Sequence, residues 1–148
     1  MDTTSLYSWK RVNRYDFQRL AAVRLRDARV LLENGSYDGA YYLVGYAVEC
    51  ALKACIAKLT RRYDFPDRSV VLESHTHDFA KLMDLAGLEQ IRKVDMRANA
   101  DLRANWLIVR KWRENSRYAL TNQQEADDLF SAVSDRRHGV LRWIKTHW

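Results

Sequence analysis

The segment from Tyr37 to Thr60 is apolar nearly all the way round a helical wheel, and this constrains the rest of the chain more than any other feature. Tyr37, Ala40, Tyr41, Val44, Ala47, Val48, Ala51, Leu52, Cys55, Ile56 and Leu59 recur at three- and four-residue steps, the spacing that stacks side chains on one helical face. The other side carries Tyr42, Leu43, Tyr46, Cys50, Ala54 and Ala57. A helix with no polar face has to be covered on most sides by other helices. The segment is therefore predicted to be a central helix, about 36 Å long at 1.5 Å per residue.

The flanking sequence supplies the cover. A first helix is predicted over Asp16–Asn34, with Phe17, Leu20, Ala21, Ala28, Leu31 and Leu32 on one side and Gly35 as its stop. Ser36 can cap the central helix. Arg61–Ser74 contains the only proline, Pro66, and is expected to be a loop. A short helix over Asp78–Ala86, entered through Thr76 and stopped by Gly87, precedes helical pieces over Glu89–Ala98 and Asp101–Trp112. The last helix is expected to start at the N-cap Thr121 and carry Ala126, Leu129, Phe130, Val133, Val140, Leu141 and Ile144 inward. No segment alternates like a strand. The expected fold is all-α, an up-and-down bundle of four to five main helices, forming one domain over residues 1–148 with 1–13 loosely docked.

Composition narrows the class. The chain has 148 residues, 47% of them hydrophobic, with only five Gly and one Pro, so disordered and low-complexity classes are excluded. No uninterrupted apolar run approaches the roughly 20 residues that span a bilayer, and Met1-Asp2-Thr3-Thr4 does not open a secretory leader. Cys50 and Cys55 lie five apart on one helix and cannot bridge. A cytoplasmic protein with no membrane partner and no cofactor is expected. The formal net charge is +6, carried by 18 Arg against seven Lys. Guanidinium groups form bidentate bonds to phosphate and stack on bases, so this bias favours a nucleotide or nucleic-acid partner. Between Leu88 and Tyr118 eight basic residues face four acidic ones.

An ordered set of short motifs resembles the HEPN domain family. It runs through Ala28-Arg29-Val30-Leu31-Leu32, Gly35, Tyr37, Ala40-Tyr41-Tyr42 and Ala47-Val48-Glu49-Cys50-Ala51-Leu52-Lys53-Ala54. It continues through His75-Thr76-His77-Asp78-Phe79, Lys81-Leu82, Leu85-Ala86-Gly87, Trp106, Trp112 and Arg117-Tyr118. The resemblance implies a helical bundle, often a homodimer, in prokaryotic toxin–antitoxin or defence settings and frequently beside a nucleotidyltransferase partner. Ribonuclease members carry an Arg, four to six residues, then a His; the Arg would hold phosphate and the His would assist proton transfer. Here Arg113 has the spacing to Tyr118 instead of to a histidine, and a phenol is a poor base at neutral pH. Arg68–His75 and Arg142–His147 also have the spacing, at the frequency expected by chance.

Three constellations remain. Glu49 and Lys53, one turn apart on the central helix, form either an ion pair at the bundle edge or an interface contact in which Glu49 faces a basic group across the bundle or dimer. His75, His77 and Asp78 are too few for a zinc site and fit a helix entry better. Arg103, Arg110, Arg113 and Arg117 form one basic stripe if the helix continues to Tyr118, with Trp106 and Trp112 interleaved, a combination suited to single-stranded nucleic acid. The expected function is a HEPN-like module binding nucleotide or RNA, or docking on a nucleotidyltransferase. The alternatives are a metal-independent ribonuclease using Arg113 and Tyr118, and a helical dimerisation adaptor.

Overall fold

The computed structural model describes residues 12–59 and 74–148, without the side chains of Asn115 and Arg117. Among them are seven α-helices and no strand: α1 (Arg14–Glu33), α2 (Tyr37–Leu59), α3 (Phe79–Leu85), α4 (Glu89–Ala98), α5 (Ala100–Val109), α6 (Gln123–Ser134) and α7 (Val140–Lys145), with a 3-10 turn at Glu114–Tyr118. Five of the α-helices run ten residues or more, and these are the main helices of the bundle. The N-terminal segment 1–11 and most of the proline loop, with Arg68, lie outside the described residues.

The central helix is α2. It is packed by α1, α3, α6, α7 and the 3-10 turn, and twelve of its residues are buried. By length and composition α2 could cross a membrane, but 67% of its most apolar window is inside the bundle. Its apolar surface is thus matched by neighbouring helices. Leu52, Leu82 and Leu129 are fully buried in the core, each worth about 1.5–3 kcal/mol relative to an exposed position. Cys50 and Cys55 are free and buried, and burial pushes both thiols up to about 11.

Local chemistry sets the helix ends. The Asn13 side chain accepts from Asp16 N at 2.9 Å while Asp16 accepts from Asn13 N at 3.0 Å, a capping box that starts α1 at Arg14, earlier than expected. Gly35 and Gly87 adopt positive φ (78° and 70°). Each closes a Schellman turn: Ser36 N donates to Leu31 O at 2.8 Å and Leu88 N to Met83 O at 3.0 Å.

Two expected helices are shorter than the periodicity suggested. The C-terminal helix is capped by Asn122, not Thr121, and breaks after Ser134. The Asp135 carboxylate accepts from His138 N at 2.6 Å and Arg137 N at 3.2 Å, and these bonds, the first foremost, hold its carboxyl below the usual range. Gly139 follows where a Cβ would lie 2.3 Å from Asp135 O. The α5 helix ends at Val109 and not at Trp112 or beyond, because Trp112 turns inward.

Trp112 is 1% exposed. Its ring stacks on Phe79 at 5.1 Å between centroids and lies flat against α2 at Gly45, where an added Cβ would fall 2.0 Å from ring atom Cε2. Trp112 Nε1 has no hydrogen-bond partner among the described residues, and the ring is held by packing against Phe79, Tyr42 and Gly45. Alanine at a helical glycine normally gains about 1 kcal/mol in propensity. Here the clash with an immobilised ring outweighs that gain. Gly45→Ala is expected to destabilise the protein by about 1–3 kcal/mol, as overpacked cores do, measured as a lower urea midpoint; an unchanged midpoint would show that the ring moves freely.

Candidate functional site

The α2 helix carries one charged side chain into the core. Glu49 is 1% exposed, and a buried carboxylate is tolerated only when donors answer it. Two do. Lys53 Nζ approaches Oε2 at 3.4 Å from the next turn of α2, and His77 Nδ1 meets Oε1 at 2.5 Å from the lead into α3. That lead is fixed by its own bonds. Thr76 Oγ1 accepts from Asp78 N at 3.1 Å, and Asp78 Oδ1 caps α3 by accepting from Ala80 N at 2.9 Å and Lys81 N at 3.3 Å. The imidazole is thereby turned back toward α2.

The far nitrogen of the ring, Nε2, lies 3.4 Å from Glu114 Oε1. His77 therefore stands between a fully buried carboxylate and a partly exposed one. The imidazolium satisfies both contacts at once, whereas the neutral ring donates to only one. The Glu114 side opens to a hollow of about 500 Å³ lined by Thr76, His77, Asp78, Arg113 and Glu114.

Asp78 and Arg113 also line a second, deeper hollow of about 240 Å³, shared with Phe79, Ala80, Glu89, Arg92, Trp106 and Arg110. The two spaces adjoin along α3. In the second, Arg92 is already compensated: Nε and Nη2 reach the two oxygens of Glu89 at 2.9 and 2.5 Å. This hydrogen-bonded pairing holds the Glu89 carboxyl below its usual range. Arg92 also covers the Trp106 ring at 5.6 Å. Arg110 and Arg113 form no ion pair among the described residues. Arg113 Nη1 donates to the carbonyls of Arg110 (2.6 Å) and Trp112 (3.0 Å), which anchors the guanidinium at the end of α5.

The structure divides the expected stripe. Arg110 and Arg113 meet in the groove. Arg103 is exposed on α5 and lines neither hollow, and the Arg117 side chain lies outside the described residues. Since α5 stops at Val109, the seven-residue register that was to align all four is lost. Trp106 and Trp112 are not the stacking platforms expected: they are 6% and 1% exposed, one covered by Arg92 and the other enclosed by Gly45 and Phe79, so neither offers a free face to a base. Tyr118 is 79% exposed and lines neither hollow. Arg142 donates to Arg136 O at 2.7 Å, and neither it nor His147, whose imidazole is driven below its ordinary range chiefly by burial, lines either hollow. Glu49 and Lys53 form the i,i+4 pair, but Glu49 sits in the core and not at an edge.

A family model described as the HEPN domain matches residues 16–146. The chain belongs to the HEPN family. No curated protein and no solved structure matches it. In this HEPN domain the histidine that shares a hollow with Arg113 is His77, from the lead into α3, and not a residue four to six places downstream. Sequence reasoning set His77 aside with a metal site. The signal that could have found it was Glu49, since a carboxylate in an apolar helix demands a cationic answer from elsewhere in the fold.

Removing that carboxylate strands two donors. Glu49→Ala is expected to cost about 3 kcal/mol, the low end for breaking a buried pair. Glu114→Gln, at an exposed pair, should cost no more than about 1 kcal/mol. Chemical denaturation of both variants checks the contrast, and equal losses would contradict the assignment of Glu49 as the anchor.

Proposed function

We propose that this HEPN domain binds the phosphates of a nucleotide or RNA along the groove between α3, α4 and the end of α5. The observation that carries the reading is the pair Arg110 and Arg113, which line the groove without an ion pair among the described residues, while their neighbour Arg92 is neutralised by Glu89 and Asp78 caps α3. Two guanidinium forks lining one groove suit the fixed geometry of phosphate oxygens. The family match supports an RNA-related role. With both indoles enclosed, phosphate contacts carry the binding and base stacking on Trp106 or Trp112 does not. The ribonuclease alternative is not favoured, because Tyr118 is absent from the walls around Arg113.

Salt dependence is the test. For single-stranded RNA the slope of log K against log salt changes by about 0.7 per phosphate contact. Arg110→Ala and Arg113→Ala should each flatten the slope by about that amount and weaken binding in fluorescence anisotropy. Arg103→Ala, outside the groove, should leave the slope unchanged. A wild-type slope near zero, or an Arg103→Ala effect equal to the other two, would sink the reading.

A further inference from the structure

We propose that Glu114 holds the place of a terminal phosphate. The monoester end of the ligand displaces the Glu114 carboxylate from His77 and sits between His77 Nε2 and Arg113, with buried Glu49 as the positioning residue. This rests on the phosphate-binding groove above and adds the chemical class of its ligand, a nucleotide or RNA end bearing a free terminal phosphate.

The two carboxylates on His77 are unequal. The Glu49 side chain is 2% exposed and approaches at 2.5 Å, whereas that of Glu114 is 39% exposed and stands at 3.4 Å. The first is buried and fixes the ring through Nδ1, which leaves Nε2 facing the hollow. The second is a solvated pairing on a five-residue 3-10 turn, and such pairings contribute little and exchange readily. An anion site is therefore built and occupied by the chain's own side chain.

Charge decides which anion replaces it. A phosphate monoester carries about −1.5 to −2 at neutral pH, while an internal phosphodiester carries one negative charge, the same as Glu114. Exchanging Glu114 for a diester gains nothing electrostatically, whereas exchanging it for a monoester adds up to a full charge beside His77 and Arg113. The monoester also has three free oxygens. They can accept from His77 Nε2 and from Arg113 Nε and Nη2 together, since Arg113 Nη1 is already committed to backbone carbonyls. Asp78 borders the same space but its Oδ1 is engaged in capping α3. Lys53 lies on the far side of Glu49 and balances that carboxylate.

The experiment compares oligoribonucleotides of one sequence ending in 5′-phosphate, 3′-phosphate or hydroxyl at both ends, with adenosine monophosphate and adenosine as the mononucleotide arm. Binding of the wild type should be at least about tenfold tighter for a phosphorylated end, from the additional charge pairing. Which arm shows the gain separates a free nucleotide from an RNA end. His77→Asn should collapse the ratio toward one. Glu114→Gln should widen it severalfold; because this side chain is partly exposed, it tests the idea even if the His77 variant folds poorly. Equal affinity for phosphorylated and hydroxyl ends, with the Arg110 and Arg113 salt effects intact, would overturn the terminal-phosphate assignment and leave the groove standing. No binding in any arm would remove the groove and the assignment together.

Discussion

A single carboxylate inside an otherwise apolar helix governs how the site is assembled. Glu49 cannot be buried alone, so its position on α2 dictates where a donor must come from across the bundle. His77 meets that demand, and Asp78 and Thr76 fix the backbone that delivers it. The bond that satisfies the core thus also aims an imidazole at the surface. One residue serves both the core and the hollow.

Around this anchor the groove sorts its charges. Arg92 and Glu89 neutralise each other on one wall, Asp78 is occupied by capping, and Arg110 and Arg113 form no ion pair among the described residues. The basic excess of the whole chain is therefore less informative than its local remainder. What counts for an anion is the set of cations not already answered from within the fold.

Much of the fold was legible because it rests on local or periodic signals. The apolar circumference of Tyr37–Leu59 marked the central helix, and Gly35 and Gly87 marked two helix ends, where only a residue tolerant of positive φ closes the turn. The site was less legible. The expectation of a stripe through Arg117 assumed an unbroken helix, but inward packing of Trp112 ends α5 at Val109. Helical periodicity across Asp135–Gly139 likewise hid a turn built by one aspartate side chain. The indoles followed the rule that large aromatics fill cores, and sequence spacing does not separate a buried tryptophan from an exposed one. His77 was harder to find for a different reason: Glu49 signals that a cation must answer it, but the partner lies 28 residues away and only the tertiary fold says which residue it is.

Trp112 immediately precedes Arg113, and Phe79 lies two residues after His77. Their rings are stacked at 5.1 Å with the indole pressed on the bare backbone at Gly45. The stacked rings therefore join the segment that carries Arg113 to the lead that carries His77. A glycine on a buried helix thus makes room for the ring pair that ties two walls of the hollow together.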